Sequence, residues 1–378
     1  MCDARLIAAA MFFFMATCAL ADDEAVMFKG YYKNLLMHAR TAFPQAESYT
    51  LDLNRLRLEV RGRPADWLGY EVQYDNEALL GSYLDTLQFA QLKAARPATY
   101  WDMEENYVDS QSLLMRHRIH RGFVSLNTAA VDMYLGRQRI AWGSGRMWNP
   151  TDLFNPYNPA QIERDERTGV DAVLVEKNFS ALSRLSLAYA PQRNAPASRA
   201  MRYRTNFSNT DMALMAGEFR DSRVAGFEFA GRIGDAGVYG EAARTRPGAG
   251  DAFTRSVLGA EYAFENTLTI GAEYYWNGEG TTQRSRYDFM RMFAGEIQNV
   301  AKHYTGAHLR YDVTPLLRSE NHLIINHDDA SRFFAPSLGY SLASNWDAAA
   351  GVQLFGGDAD SEFGRLHNVY YMYLQRFF

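Results

Sequence analysis

The sequence predicts an all-β protein: a transmembrane, antiparallel, up-and-down β-barrel of about eighteen strands, after a cleaved signal peptide. Three observations carry this expectation. From about residue 28 onward, segments of roughly ten to thirteen residues alternate apolar and polar side chains. Tight turns alternate with longer polar connections, and the chain closes on an aromatic strand ending in Phe378.

Composition narrows the class. Of 378 residues, 47% are hydrophobic and 22% charged, so the chain has enough apolar surface to offset its entropy. A net charge of −5 gives no global basic field, and nucleic acid is not an expected partner. The single long apolar run, Leu6 to Ala21, falls short of the roughly 20 residues a spanning helix needs.

The N-terminus reads as an export signal. Arg5 precedes Leu6-Ile-Ala-Ala-Ala-Met-Phe-Phe-Phe-Met-Ala16, and Ala19-Leu20-Ala21 precedes the polar Asp22-Asp23-Glu24. Cys18 lacks the upstream Leu of a lipoprotein signal. Cleavage after Ala21 makes residues 1–21 the signal peptide and 22–378 one barrel domain of 378 − 21 = 357 residues. Both cysteines, Cys2 and Cys18, leave with the signal, so no disulfide, thiolate metal site, cysteine nucleophile or haem attachment is expected.

Strands are expected near 28–37, 50–62, 66–77, 112–127, 130–142, 169–178, 181–190, 200–207 and 209–220. They continue near 222–233, 236–246, 252–264, 267–277, 302–313, 316–327, 333–343, 346–356 and 366–378. Residues 200–207 are kept because dropping them would break the alternation of short and long connections. Tight turns such as Asn127-Thr128-Ala129-Ala130, Gly234-Asp235-Ala236-Gly237 and Ala343-Ser344-Asn345-Trp346 supply one side. Long connections at 78–111, 143–167 and 278–301 supply the other and are expected to be extracellular. An even strand number puts both termini on the tight-turn side. Segments of about eleven residues suit a tilted bilayer crossing better than a sandwich, whose strands average about five or six. Closure is required because an open edge cannot survive in hydrocarbon.

The last segment is Val369-Tyr370-Tyr371-Met372-Tyr373-Leu374-Gln375-Arg376-Phe377-Phe378. It resembles the C-terminal strand of Gram-negative outer-membrane proteins, with Tyr370, Met372, Leu374 and Phe378 on one face; Arg376 departs from that pattern. The resemblance implies a porin-like barrel in the cell outer membrane, with Tyr370 and Phe378 read by the barrel assembly machinery. The stretch Leu135-Gly136-Arg137-Gln138 through Trp142-Gly143-Ser144-Gly145-Arg146 is similar to the Gly-Arg-Gln strand and Gly-rich loop of alginate-export-like barrels.

If the apolar parity meets lipid, the opposite parity lines the lumen. This assigns Arg55, Arg57, Glu59, Arg61, Glu71, Asp132, Gln138, Arg184, Arg202, Arg204, Arg255, Glu261, Glu273, His308 and Arg310 to the pore wall. Arg116, His117, Arg118, His120 and Arg121 are basic on both parities and leave that strand unphased. The Pro-rich stretch from Trp148 to Pro159 is expected to fold into the barrel mouth as a constriction, with Trp148, Asn149, Asp152, Phe154 and Asn155 as contacts. Arg137, Arg139 and Arg146 are its expected pairing partners for Asp152. The connection 78–111 is a candidate partial plug.

No catalytic residues, metal ligands or cofactor are expected: His303/His308 and His322/His327 are spaced for opposite faces, and nucleophile and phosphate-loop motifs are absent. The expected function is a passive channel for small polar or anionic solutes, not an enzyme. Its partners are then outer-membrane lipid, the assembly machinery and small solutes, with self-association or a periplasmic partner open. The alternatives are a sleeve around a partner such as a multihaem cytochrome, and a polysaccharide export channel.

Overall fold

The structure, a computed structural model, describes residues 26–42, 45–94, 99–155, 161–163, 167, 169–293 and 295–378. The expected signal peptide and residues 156–159 of the expected constriction lie outside them. Strands β1 (Val26–Arg40), β2 (Ser48–Ala65) and β3 (Leu68–Leu80) are followed by a short helix α1 (Leu87–Ala94) and by β4 (Glu104–Asp109). Next come β5 (Leu113–Asn127), β6 (Asp132–Gln138), β7 (Val170–Ser180), β8 (Ser183–Ala190), β9 (Ser198–Phe207) and β10 (Thr210–Phe219). The chain continues through β11 (Ser222–Ile233), β12 (Ala236–Arg246), β13 (Phe253–Ala263), β14 (Thr269–Asn277), a helical turn α2 (Phe289–Phe293) and β15 (His303–Asp312). It ends with β16 (Leu317–Asn326), β17 (Arg332–Ala343), β18 (Trp346–Gly356) and β19 (Val369–Phe377). No helix among the described residues is long and apolar enough to cross a membrane.

Every neighbouring pair is antiparallel, and β1 pairs with both β2 and β19, so the sheet closes. The seam ends on reciprocal bonds between the Gly30 and Phe378 backbones, each 3.0 Å. The wall holds eighteen strands; β4 is the nineteenth and stands outside the meander. Tight turns lie at one end with the start of β1 and the end of β19, and the long connections, together with the two-residue turn Arg220-Asp221, lie at the other.

Alternation explains which face each strand presents. On β2, Arg55 and Arg57 are buried inside while Leu56 and Leu58 are exposed outside. On β14, Tyr275 is inward and Ile270, Tyr274 and Trp276 are outward. An apolar exterior over a polar interior is the inverse of a soluble sandwich and suits a hydrocarbon surround.

Three departures from the sequence expectation have physical causes. The strand expected over 130–142 stops at Gln138, because the chain turns inward there and buries Ile140 and Trp142. The wall beyond it is completed by β4, which pairs with the outer half of β5 (Glu104↔Arg118, Asp109↔Leu114). The basic strand that alternation could not phase is β5, which shifts register against β3 between Gln73 and Tyr74. There His120 is an extra residue. The bulge lets Arg116, Arg118 and Arg121 all face inward against Glu77, Asp75 and Gln73.

The connection 78–111 is also not a plain loop. Its first residues extend β3 to Leu80. Helix α1 packs Phe89 inside the mouth with Leu35, Leu51, Leu53, Leu79 and Leu114.

Candidate functional site

Residues 139–155 leave the end of β6 and cross the interior to the opposite wall. Two carboxylates on that wall receive them. Glu241 of β12 accepts the backbone N–H groups of Ser144, Gly145 (2.6 Å) and Thr151 (3.1 Å) and the Thr151 hydroxyl (2.7 Å). Glu273 of β14 accepts those of Arg146, Met147 (3.0 Å) and Trp148 (3.2 Å). A polar loop with no strand partner has orphan donors, and these two side chains satisfy six of them.

The local sequence permits so tight a path. Gly143 has φ +103°, and a Cβ on Gly145 would meet the Trp148 carbonyl oxygen at 2.0 Å. The wall makes room as well, since a Cβ on Gly306 of β15 would strike Met147 Sδ at 2.5 Å and the Trp148 ring at 2.7 Å.

Trp148 is the anchor. Its ring stacks on Tyr275 with centroids 5.0 Å apart and planes 11° apart, and only 1% of it is exposed. Its indole N–H donates to Asn299 Oδ1 at 3.0 Å. Asn299 in turn donates to Glu362 Oε1 (3.2 Å), and the other oxygen of Glu362 accepts from Tyr304 (2.6 Å) and Asn326 (2.8 Å). Burial pushes the Glu362 carboxyl up to about 7 against the pull of these donors. The tip of the loop is thereby tied to two further connections, at 278–302 and 357–368.

The rest of the loop is fixed from the β6–β10 side. Phe154 packs edge-on to Trp142 (5.3 Å) and Phe219 (4.9 Å). Asn155 Oδ1 accepts from the Ile140 N–H at 2.9 Å. Asp152 pairs with Arg167 at 3.1 Å and not with the expected arginines. Arg146 pairs with Glu261 (2.6 Å), and Arg137 with Asp171 (2.8 Å) because its parity on β6 is outward, where residue 101 covers it. Asn149 donates to the Gly145 carbonyl at 2.8 Å.

All the residues expected to line the wall point into the barrel, but not all meet open space. Arg55 is locked between Glu77 (2.6 Å) and Glu163 (2.9 Å), and Arg57 faces Asp75 at 2.6 Å. Burial alone would raise Glu163, yet Arg55 and Lys33 hold it below the usual carboxylate range. Glu273 is 1% exposed under the loop, and Gln138 is buried on backbone carbonyls. These are corrections to a simple pore-lining reading: they brace the wall and hold the loop. His308 lies beside His322 and 3.6 Å from Glu261. Glu59, Asp132, Arg255 and Arg310 are inward and partly or fully exposed.

The loop divides the interior. Towards the tight turns lies a chamber of about 560 Å³ lined by Arg61, Arg121, Arg139, Arg184, Arg202 and Arg204 against Glu71 and Glu176. Several of these arginines have carboxylate partners (Arg61 with Glu59 at 2.5 Å and Glu71 at 3.1 Å, Arg184–Glu176 at 3.0 Å, Arg204–Asp211 at 2.7 Å, and Arg202–Glu228), but half of the side chain of Arg61, Arg184 or Arg204 stays accessible. Towards the long connections lies a second cavity of about 320 Å³, lined by Trp148, Asn149, Asp152 and Phe154 with Arg220, Arg255 and Glu296. No group of three potential metal ligands occurs among the described residues.

Glu241, Gly306 and Glu362 were missing from the sequence expectation. The parity of Glu241 was legible beside Tyr239 and Ala243. No local signal marks Gly306 or Glu362, whose partners come from distant connections.

No known sequence family and no curated protein matches the chain. Its fold is similar to that of OccAB1 of Acinetobacter baumannii, with a TM-score of 0.61 and 9% identity over 94% of this chain and 98% of that one. It is also similar to the outer membrane protein OprD of Pseudomonas aeruginosa (0.59, 12%, over 94% and 95%). A third likeness is to OpdK of the same organism, crystallised with vanillate (0.59, 12%, over 94% and 99%). At these identities the likeness establishes the closed porin-type barrel.

Proposed function

We propose that this protein is an outer-membrane channel that passes small polar solutes passively and favours anions. The observation that carries the reading is the interior loop, which narrows an eighteen-strand lumen and leaves an arginine-rich chamber on one side. A barrel of this size encloses space for water and solutes unless something fills it. The six arginines of the chamber wall face five carboxylates (Glu59, Glu71, Glu176, Asp211 and Glu228), and this small positive excess, with Arg139 exposed, raises the local concentration of anions. The vanillate bound by OpdK, a small carboxylate, is in keeping with that class of solute. A sleeve for a partner fits less well, since the chain's own loop occupies the space a partner would need.

In this reading residues 1–21 are removed on export, and the connections 78–111, 143–167 and 278–301 face the cell exterior. Tyr370 and Phe378, outward and half exposed on the seam strand, are displayed to the assembly machinery. Arg376, the departure from the usual pattern, lies over the Trp346 ring at 5.5 Å at the turn-side rim, where a cation can reach headgroups.

Planar-bilayer recording tests the proposal. Discrete conductance steps and a reversal potential displaced towards chloride in a KCl gradient are expected. A barrel that folds but conducts nothing, with or without residues 148–155, sinks it.

A further inference from the structure

The exterior of the barrel carries a feature the channel reading does not use. At the long-connection rim of β8 to β12, the register places Tyr189, Arg199, Glu218, Arg223 and Arg246 in one row across five neighbouring strands. All five face outward, because Val224, Ala243 and Thr245, on the opposite parity, are buried inside. Strand spacing makes the row from Arg199 to Arg246 about 14 Å wide. Glu218 is held by Arg199 at 2.6 Å and Arg223 at 3.4 Å. One rung below, Arg244 stands beside Ala225, which is flanked by Ala216 and then Met201. Below that come Tyr203, Leu214 and Phe227, all exposed. Four arginines against one glutamate therefore overhang a shallow depression floored by two alanines, and the depression opens downward onto the apolar belt.

A solvated rim needs no such ordering. Single charges scattered along an interface would suffice there, whereas aligned guanidinium groups fit phosphate oxygens in fork geometry. The continuity with the apolar belt says that whatever carries the phosphate also carries acyl chains. We propose that this surface is a binding site for a lipid whose headgroup bears phosphate monoesters, seated with its phosphates on Arg199, Arg223, Arg244 and Arg246 and its first acyl carbons over Ala216 and Ala225. The inference rests on the outer-membrane placement proposed above, with the long connections at the outer leaflet.

The test uses the folded barrel in phosphatidylcholine nanodiscs, with bisphosphorylated lipid A or its dephosphorylated form added. Lipid retention is read by native mass spectrometry, beside thermal unfolding. The wild type is expected to retain the phosphorylated lipid, as is Lys177→Gln, an outward change near the opposite rim. The triple change Arg199→Gln, Arg223→Gln, Arg246→Gln should weaken retention by about tenfold or more. Ala225→Trp keeps every arginine and fills the depression, so it should weaken retention too, whether or not the triple variant folds. Equal retention in the variants, or equal retention of the dephosphorylated lipid, overturns the proposal. Inorganic phosphate alone reproducing the thermal shift also overturns it, by making this a free-anion site. Conductance of the same preparations is read separately, so a failed channel reading shows there and a failed lipid site shows only in retention.

Discussion

Removing a carboxylate that holds the interior loop should open the pore. In Glu273→Ala, the backbone N–H groups of Arg146, Met147 and Trp148 lose their acceptor beneath a residue that is 1% exposed. A buried donor left unpaired costs about 1–3 kcal/mol, and the three share one partner, so about 3 kcal/mol is a sober figure for the whole. That shifts the ratio of seated to released loop by about two orders of magnitude. What remains to hold its tip, besides the anchoring of residues 152–155 on the β6–β10 side, is the Tyr275 stack, the indole bond to Asn299, the Arg146–Glu261 pair and the Glu241 contacts. The double variant with Glu241→Ala removes the last of these. Single-channel recording should show noisier, larger openings in Glu273→Ala and a severalfold higher steady conductance in the double variant. Heat-modifiable migration reports the intact barrel, because Glu273 lies opposite Gly259 and Gly306 and Glu241 lies opposite the like-charged Glu228, so neither change removes a salt bridge across the strand ladder. If the double variant folds and conducts like the wild type, the loop does not limit flow and the constriction reading fails.

Other expectations follow from neighbouring features. Gly306→Val should unseat Met147 and Trp148 and raise conductance much as Glu273→Ala does, seen also as increased Trp148 quenching by acrylamide. Arg184→Glu with Arg204→Glu inverts charge in the inner chamber, and the reversal potential should move towards the cation value with little change in conductance. Glu362 has its carboxyl raised to about 7 by burial, so the folded state binds its proton more tightly than the unfolded chain. Its contribution to stability is therefore present below the ordinary glutamate value and lost as pH rises from about 4.5 to 7, by at most roughly 3 kcal/mol. Urea unfolding should show the stability difference between wild type and Glu362→Gln falling through that window and flat above it; a constant difference refutes the coupling.

The wall was legible in the sequence because a barrel strand is a local object. Period-two alternation needs only the strand itself, and parity fixes the face of each residue once one is known. That is why Leu56 and Leu58 against Arg55 and Arg57 sufficed for β2. The weakly patterned segment near 200–207 is strand β9 because a closed meander needs it. Alternation failed at His120, where one extra residue reverses the parity, and at Gln138, where the chain leaves the wall while its sequence still alternates. Arg137 was misplaced although its outward parity follows from the inward Gln138; only its partner Asp171 depends on the strand pairing β6–β7.

The interior network was hidden for a different reason. Glu241, Glu261 and Glu273 are the same residue type on adjacent strands, all inward by parity, and sequence alone makes them one class of pore-wall acid. The loop separates them. Glu261 keeps an exposed partner in Arg146, whereas Glu241 and Glu273 turn their oxygens to main-chain donors and are withdrawn from solvent. The charge that a solute meets is thus not the sum of inward side chains: it is what remains after the loop has covered the acids it uses. Covering Glu241 and Glu273 subtracts negative charge from the lumen while Arg61, Arg139, Arg184 and Arg204 stay open. In the proposed channel, a constriction built on buried carboxylates would narrow the lumen and bias it towards anions by the same contacts, and displacing the loop should weaken both properties together.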